Sequence, residues 1–449
     1  MITLLLILIF VLGYIAIAFE HPLHLDKTPI ALLTGMLLWA VLALGGTYLN
    51  LDVAAGEHGF MSFLDEQLSE HLFDISNILF FLLGAMTIVE TVDLHGGFDI
   101  ITRKVQTTNK VSLLWIIGVL AFFMSSVLDN LTTTIVMVSL LLKLISDRKL
   151  RLYYVGMVVI AANAGGAWTP IGDVTTTMLW IGGQVTTMAI IKGVFLPSIV
   201  CLVVPLLLLS TRPILKGKLP ERETTHAAQG TMFEKWVVLL MGLAALIFVP
   251  IFKTVTHLPP FMGMLMGLAI VWITVELIHF RKNPEQKSGF SVVKALTKID
   301  VPSVLFFLGI LLAVSALEVA GILGKLALSL DHNIGNYPFI VVVIGVLSSI
   351  IDNVPLVAAC MGMYPVLHEG AANATPQMVS YFAQDGMFWE FMAYCAGTGG
   401  SLLIIGSAAG VAAMGIERID FIWYFKNMTW LAAAGYFAGA AVYLLLYFL

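Results

Sequence analysis

The chain has 449 residues, of which 59% are hydrophobic and only 11% are charged, and its mean hydropathy is +0.96. Soluble domains carry roughly 25% charged residues, so this composition excludes a soluble globular protein and predicts an all-α membrane protein with many crossings. The net charge of −5 and the absence of a basic block give no indication of nucleic-acid binding, and the three single cysteines show no metal-ligand or disulfide spacing.

Apolar segments long enough to span a bilayer follow one another along the chain. They lie at residues 2–19, 28–48, 75–92, 189–211, 236–253, 258–280, 301–320 and 428–448. Two further apolar regions, 111–183 and 337–416, are interrupted by Gly, Pro, Asn and Asp. The first segment is predicted to be a retained transmembrane helix rather than a cleaved signal, because no Lys or Arg precedes it.

The charges of the loops predict the orientation of these segments. The loop at 50–74 is acidic and lacks Lys and Arg, whereas the segments 98–110, 147–151, 212–235 and 281–298 are basic. The positive-inside rule therefore places the four basic segments in the cytoplasm and both termini outside. Basic segments flank residues 111–145 on both sides, which predicts a re-entrant hairpin with two limbs of about 15 residues, short for a full crossing.

A short polar phrase occurs twice within apolar surroundings. Residues 125–130 read SSVLDN and residues 348–353 read SSIIDN, at an offset of 223. A glycine-rich break follows each phrase, NAGGAWTPIGD at 163–173 and GTGGSLLIIGS at 397–407, and weaker echoes such as His24/His257 lie at an offset of 233. These repeats predict two halves of inverted orientation, with about ten crossings and two hairpins in all.

The predicted division of the chain follows from these repeats. The first inverted repeat covers 1–211, with a hairpin at 111–145 and a broken helix at 151–183. A cytoplasmic linker covers 212–235. The second inverted repeat covers 236–449, with a hairpin at 337–367 and a broken helix at 388–416.

Oxygen-bearing side chains gather at the hairpin tips and the breaks, where they suit a small cation. Burial disfavours the charged form of a carboxylate and a bound cation favours it, so one buried Asp can exchange Na⁺ for H⁺ by competition. Backbone carbonyls at a broken helix add further oxygen ligands. The candidate ion-binding residues are Asp129, Asn130, Asn163, Thr169, Asp173, Thr175, Ser348, Asp352, Asn353, Thr398, Ser401 and Ser407. The Na⁺ ligands proper are predicted to be Asp129, Asn130, Asp173 and Asp352, and no resident cofactor is predicted.

A purely structural role is the alternative for several of these residues. Ser126, Ser349 and Ser407 are of a type that often forms hydrogen bonds between membrane helices. The Asp-Asn pairs at the hairpin tips also suit the capping of the helix that follows, a role compatible with ion binding.

The phrases at 125–130, 163–175, 348–353 and 397–407 resemble those of the bacterial NhaD-type Na⁺/H⁺ antiporters. These belong to the ion transporter superfamily, together with arsenite and dicarboxylate carriers. The Asp in each hairpin phrase and the GDVT sequence at 172–175 distinguish the chain from the dicarboxylate carriers. The resemblance covers nearly the whole chain and implies ion-binding roles for the residues that match its motifs, Ser348 among them. It also implies an elevator-like transport domain on a scaffold that often dimerises, in the bacterial cytoplasmic (inner) membrane. The second break lacks an Asp, which favours one dominant site near Asp129 and Asp173.

Three functions fit the sequence to different degrees. The first is a secondary antiporter that exports Na⁺, with Li⁺ as a second candidate cation, in exchange for H⁺ by alternating access. The second is an oxyanion or dicarboxylate transporter of the same superfamily. The third, an intramembrane aspartyl protease, needs a Gly-x-Gly-Asp phrase and a Tyr-Asp dipeptide; the chain has Pro170 at the first Gly position and no Tyr-Asp, so no enzyme is predicted.

Overall fold

The computed structural model describes residues 2–18, 25–45, 59–98, 100, 107–219, 231–280, 289–350, 352–368 and 375–449. Within these ranges the protein is built of twenty α-helices and has no strand. Nine of the described helices are long and apolar enough to cross a membrane. The predicted all-α membrane fold with many crossings is therefore confirmed.

The first half of the chain contributes eight helices. They are α1 (Ile2–Ala18), α2 (Lys27–Gly45), α3 (Phe60–Leu94), α4 (Lys110–Leu128), α5 (Asn130–Leu144), α6 (Arg148–Ala167), α7 (Val174–Ile181) and α8 (Thr187–Ser210). The pair α4 and α5 forms the first predicted hairpin, with Asp129 as the only residue between them. The pair α6 and α7 forms the first broken helix, interrupted at 168–173.

The second half contributes twelve helices, several of them short. They are α9 (Met232–Thr256), α10 (Pro260–Ile278), α11 (Val292–Leu296), α12 (Val301–Val319), α13 (Ile322–Asn333), α14 (Tyr337–Leu347), α15 (Asn353–Met363), α16 (Pro376–Phe382), α17 (Met387–Gly399), α18 (Ala408–Glu417), α19 (Phe421–Asn427) and α20 (Thr429–Phe448). The helices α14 and α15 form the second hairpin, and α17 and α18 form the second broken helix, interrupted at 400–407.

The helices at the hairpins and breaks begin just after polar residues, whose side chains cap free backbone N–H groups. The side chain of Asn109 accepts from the Ser112 N–H at the start of α4, and that of Asn336 accepts from the Phe339 N–H at the start of α14. The two hairpins thus begin with the same residue type in the same role, which is consistent with a duplicated design.

The two halves also repeat one packing contact. The Ser125 hydroxyl donates to the Ala162 carbonyl at 2.6 Å, and the Ser348 hydroxyl donates to the Ala396 carbonyl at 2.8 Å. In each half a serine of the hairpin phrase therefore fastens the hairpin to the broken helix. The duplication predicted from sequence has a structural counterpart, whereas the inverted orientation of the halves stays a prediction.

A glycine permits the close approach of hairpin and broken helix in each half. A Cβ added at Gly165 would collide with the Phe122 carbonyl, and one added at Gly399 would collide with the Gly345 carbonyl. We expect Gly165→Ala and Gly399→Ala each to lower the free energy of unfolding by about 1–3 kcal/mol, because backbone cannot move aside as a flexible side chain can. Thermal unfolding in detergent measures this loss. Gly415→Ala is the control, since nothing lies within 4 Å of a Cβ there; equal melting temperatures for all three variants would contradict the packing.

Polar contacts join the start of each broken helix to the end of the other broken helix. Arg151 near the start of α6 pairs with Glu417 at the end of α18, with Nε 2.5 Å from Oε1. Asp385, just before α17, accepts from the N–H and hydroxyl of Thr186 beyond the end of α7, at 2.5 and 2.9 Å. The two broken helices therefore form one packed unit, on which both hairpins lie.

A second group of helices packs around this unit. In it α2 lies along α12, α3 along α10, α1 against α2 and α9 against α10. The sequence offset of the repeats relates α2 to α10 and α3 to α12. The pairs α2–α12 and α10–α3 are therefore equivalent. We call these six helices, α1, α2, α3, α9, α10 and α12, the outer group.

Several sequence predictions are corrected by the structure. The first hairpin limb, α4, has 19 residues and is long and apolar enough to span a bilayer, so the expected limb of about 15 residues is wrong; Ser125 and Ser126 lie inside this helix. Residues 60–74 belong to the 35-residue helix α3 rather than to an acidic loop. Helix α9 begins at Met232, inside the predicted linker, of which residues 220–230 lie outside the described ranges.

Candidate functional site

Asp173 is the centre of a buried polar network at the first break. It is the N-cap of α7, where its Oδ1 accepts from the Thr175 N–H at 2.9 Å and from the Thr175 hydroxyl at 2.7 Å. Its Oδ2 accepts from Nδ2 of Asn130 at 2.7 Å. Only 1% of Asp173 is exposed, so this carboxylate depends on protein groups rather than on bulk water.

Asn163 extends this network across the two halves of the chain. Its Oδ1 accepts from Nδ2 of Asn130 at 3.0 Å, and its Nδ2 donates to the Ser407 hydroxyl at 2.9 Å. Ser407 caps α18, where its oxygen also accepts from the Gly410 N–H at 3.2 Å. The first hairpin tip, the first break and the second break therefore meet at one fully buried amide.

Asp129 occupies the tip of the first hairpin and faces a small cavity. It has a positive φ of 82°, and its carboxylate accepts from the Thr132 N–H at 2.8 Å and the Thr132 hydroxyl at 2.9 Å. A cavity of ≈ 20 Å³ lies beside it, lined also by side chains of α3, α9 and α10, among them Phe81, Leu246 and Met264. This volume is about that of one water molecule, and Asp129 and Thr177 are the polar residues of a mostly apolar lining.

The three hairpin and break carboxylates influence one another. Asp173 lies within electrostatic range of Asp129 on one side and of Asp352 on the other. Within the described ranges, no Lys, Arg or His forms an ion pair with Asp129 or Asp173. Asp173 is buried and Asp129 is half-buried, so their negative charges repel each other with little screening by water. A proton or a metal ion at this pair would relieve that repulsion.

Asp352, the counterpart of Asp129, has a different environment. It caps α15 through the Val354 N–H at 3.1 Å, and its Oδ2 lies 3.5 Å from Nζ of Lys27 at the start of α2. Lys27 was missed in the sequence analysis because it lies just before the predicted segment 28–48. Nothing local to residue 27 indicates a partner more than 300 residues away.

Three of the remaining predicted residues donate their hydroxyl protons to backbone carbonyls. Thr169 donates to Ser126, Thr398 to Tyr394, and Ser401 to Thr398, at 2.6 Å in each case. Asn353 is buried at the first position of α15. The hydrogen bonds of the three hydroxyl groups support the shape of the two breaks. Their oxygens keep lone pairs that can accept a hydrogen bond or coordinate a cation.

The purely structural roles considered for the serines and the Asp-Asn pairs hold for some of these residues and not for others. Ser126 and Ser349 donate to carbonyls three residues earlier, those of Phe123 and Val346, so neither makes the interhelical bond considered for it. Ser407 does bond to another helix, through Asn163. The capping role considered for the two Asp-Asn pairs is confirmed for Asp129 and Asp352.

The two breaks differ at the position of the central amide. Alignment of the double glycines places Gly397 opposite Asn163, and a Cβ at Gly397 would lie 3.8 Å from Oδ2 of Asp173. The second half thus has a glycine, with no side chain, at the position where the first half has the Asn163 amide. Thr132, which holds Asp129, was also missed, although its place three residues after a capping Asp was the available signal.

Comparison with known proteins places the chain in a family of carriers. A family model described as Citrate transporter matches residues 14–383. "Na(+)/H(+) antiporter NhaD" of Vibrio cholerae is 30% identical over 98% of this chain and 91% of its own length. The chain belongs to this family of membrane carriers, among its NhaD-type members. The resemblance seen in the sequence motifs is therefore confirmed.

Two plant members of the family are similar over almost the whole chain. "Sodium/proton antiporter 1" of Arabidopsis thaliana is 49% identical over 97% of this chain and 71% of its own length. "Sodium/proton antiporter 2" of the same plant is 46% identical over 97% of this chain and 98% of its own length. Each of these relatives is named as an antiporter, and membership of this family and the apolar helices make the chain a multi-pass membrane protein.

Proposed function

We propose that the protein is a secondary active Na⁺/H⁺ antiporter that exports Na⁺ while H⁺ enters, by alternating access. The observation that carries this proposal is the buried Asp173 carboxylate, held by Asn130 beside the hairpin tip, with Asp129 in electrostatic range and no ion pair from a basic side chain of the described residues to either. Such a pair takes up either protons or a small cation, and replacement of one by the other is the exchange reaction.

The network of Asp173 supplies the groups that such an exchange needs. The Asp173 carboxylate and the amide oxygens of Asn130 and Asn163 are the hard oxygen ligands that an alkali cation prefers. Thr175 holds one carboxylate oxygen in place through two hydrogen bonds, which fixes the direction of the other. Ser407 adds a ligand from the second half, so movement of the two breaks as one unit would carry the site intact.

The names of the relatives support cation exchange, whereas the description of the family model points to citrate. The geometry favours the cation. Hairpin helix α5 and half-helix α7 have N-termini that would attract an anion. Asp129 and Asp173 already cap these two N-termini. An incoming carboxylate would therefore meet negative charge at both sites. Citrate transport remains the competing function that the test below addresses.

Proton movement in everted membrane vesicles tests the proposed function. Vesicles from an antiporter-deficient strain that expresses the chain are energised to acidify the lumen. NaCl, LiCl, KCl or citrate is then added at several pH values. We expect Na⁺ to release protons from the lumen. A response to citrate with none to any cation would assign the protein to anion transport instead.

The apparent KM for Na⁺ should depend on pH. A protonated carboxylic acid binds no Na⁺, so protons and Na⁺ compete, and the competition weakens as pH rises. We expect the KM for Na⁺ to fall by up to about tenfold per pH unit over the range in which the protonated form dominates. The same vesicles give KM from the initial rate of proton release at each pH. A KM that does not change between pH 5.5 and 8.5 would contradict simple competition.

Several finer features belong to the proposal and rest on the resemblance or the composition. They are Li⁺ as a second transported cation, a homodimer in the lipid bilayer, a bacterial cytoplasmic (inner) membrane as location with both termini outside, and no cofactor, nucleic-acid partner or enzymatic activity. Each is separable from the exchange reaction itself.

A further inference from the structure

Lys27 places a positive charge beside the carboxylate of the second hairpin. Its Nζ lies 3.5 Å from Oδ2 of Asp352 and 4.4 Å from the centre of the Phe306 ring. The side chains of Lys27 and Asp352 are 23% and 19% exposed, respectively, so both are largely withdrawn from solvent. An ion pair in such surroundings is screened less than one at a water-exposed surface.

Lys27 belongs to the outer group of helices. The Thr28 hydroxyl donates to the Pro302 carbonyl at 3.1 Å, and Nε1 of Trp39 donates to the Leu312 carbonyl at 2.9 Å. A Cβ at Gly35 would collide with the Gly309 carbonyl, so α2 and α12 are in backbone contact between these bonds. Lys27 is therefore held on a rigid pair of helices, whereas Asp352 lies on a hairpin fastened to the broken-helix unit.

The corresponding position in the other half carries no charge. The offset of 233 residues that relates His24 to His257 relates Lys27 to Pro260. Lys27 is the first residue of α2, and Pro260 is the first residue of α10. Met264, one turn further along α10, lines the cavity beside Asp129. One hairpin carboxylate thus faces a fixed ammonium group, and the other faces a small cavity with no basic side chain among its described lining residues.

Other groups near Asp352 are consistent with a permanent pair. The Tyr14 side chain of α1 lies within electrostatic range of Asp352, and its buried hydroxyl has no hydrogen-bond partner among the described residues. Asp26, next to Lys27, accepts from the Thr28 N–H at 2.9 Å and so caps its own helix. Asp352 is the acidic group that the structure places in ion-pair range of Lys27.

We propose that Lys27 is the resident counter-ion of Asp352 and takes the place there that the transported cation takes beside Asp129 and Asp173. Asp352 then carries no cargo, and the exchange uses the first-half carboxylates alone. This inference rests on the proposed function, and it narrows the sequence prediction that Asp352 is a Na⁺ ligand. Lys27 is a positioning residue, because it acts through Asp352 rather than on the transported ion.

Removal of both charges distinguishes a counter-ion from a ligand. Lys27→Met alone leaves an unpaired carboxylate, and we expect Vmax for Na⁺-driven proton flux to fall at least about tenfold. The double variant Lys27→Met with Asp352→Asn should recover to within about threefold of wild type, with an unchanged KM for Na⁺, because no charge is left unpaired. Purified protein in proteoliposomes at fixed pH provides both constants.

Two further variants guard against misfolding. Lys27→Arg keeps the charge and should retain Vmax within about threefold of wild type. Lys298→Met is the matched control: Lys298, which precedes α12, pairs with Glu90 of α3 at 2.9 Å, and the substitution should leave both constants unchanged. Size-exclusion profiles confirm that each variant is folded.

The outcomes separate the two proposals. An inactive wild-type protein overturns the proposed function. An active wild type with a folded but inactive double variant shows that Asp352 is needed as a carboxylate, which overturns the counter-ion role. A loss of activity in Lys27→Arg as large as that in Lys27→Met overturns it as well. Recovery in the double variant with an unchanged KM for Na⁺ supports it, because a carboxylate that binds the transported ion could not be replaced by an amide without loss of affinity.

Discussion

Asp173→Asn is expected to abolish Na⁺-dependent proton movement, with a fall of at least about 100-fold in rate, because the variant can neither bind nor release a proton at the centre of the network. The amide oxygen of Asn can still accept from the Thr175 N–H and hydroxyl, so α7 keeps its cap. Its NH₂ group would face Nδ2 of Asn130, which now donates to Asp173 at 2.7 Å. We therefore expect a loss of about 1–3 kcal/mol in stability, too little to unfold the protein.

The Asp173 result needs a control that changes the same chemistry elsewhere. Asp420 is also a helix-capping carboxylate, and its Oδ1 accepts from the Trp423 N–H at 2.8 Å. Asp420→Asn should transport Na⁺ at the wild-type rate. The measurement is proton flux in proteoliposomes of purified protein, with the melting temperature of each variant taken beside it. Wild-type flux in folded Asp173→Asn would remove this residue from the mechanism.

Asp129→Asn is the second substitution with a large expected effect, a fall of about 10- to 100-fold in exchange rate. The substitution preserves the local structure. Asn has the same shape as Asp and so adds no backbone strain to the φ of 82° at this position, and the Thr132 hydroxyl can reverse its hydrogen bond to accept from the new NH₂ group. What is lost is the negative charge at a cavity of ≈ 20 Å³. The variant thus tests the charge rather than the fold.

The control for Asp129 is Asp147→Asn, at the exposed cap of α6, where the side chain accepts from the Lys149 N–H at 2.9 Å. It should exchange ions normally. Flux assays across a range of Na⁺ concentrations separate a loss of affinity from a loss of turnover. Asp129→Asn with unchanged constants would leave Asp173 as the only exchanging carboxylate and would assign Asp129 to helix capping.

The duplicated phrases predicted which segments would meet, because their chemistry is local. An Asp within an apolar stretch can cap a helix or bind an ion, and Asp129 and Asp352 both cap the helix that follows. A double glycine indicates close backbone contact, and Gly165 and Gly399 make it. These features depend on residues next to one another in sequence.

The differences between the halves could not be predicted in the same way. The pairing of Lys27 with Asp352 and the bond from Asn163 to Ser407 join residues 325 and 244 positions apart in the chain. Such contacts depend on how the outer helices and the breaks pack, which a hydropathy pattern does not specify. The sequence indicated one dominant site near Asp129 and Asp173 with Asp352 as a further Na⁺ ligand, whereas the structure pairs Asp352 with Lys27 and gives the other two carboxylates no basic partner among the described residues.

The length of α4 shows a further limit of the sequence patterns. The polar phrase SSVLDN looks like an end of helical structure, but Ser125 and Ser126 satisfy their hydroxyls on the carbonyls of Ala162 and Phe123 and stay within the helix. Serine can do so without a break, because its hydroxyl reaches a carbonyl of its own or a neighbouring helix. The helix ends only at Asp129.

Proton release on Na⁺ binding is the most direct test of the central claim that Na⁺ and H⁺ compete for Asp129 and Asp173. Purified protein in detergent, weakly buffered near pH 6 with a pH indicator, is mixed with NaCl, and choline chloride serves as the ionic control. We expect NaCl to acidify the solution in proportion to the protein, and Asp173→Asn to release little or nothing. Binding of ²²Na⁺ without acidification would contradict it.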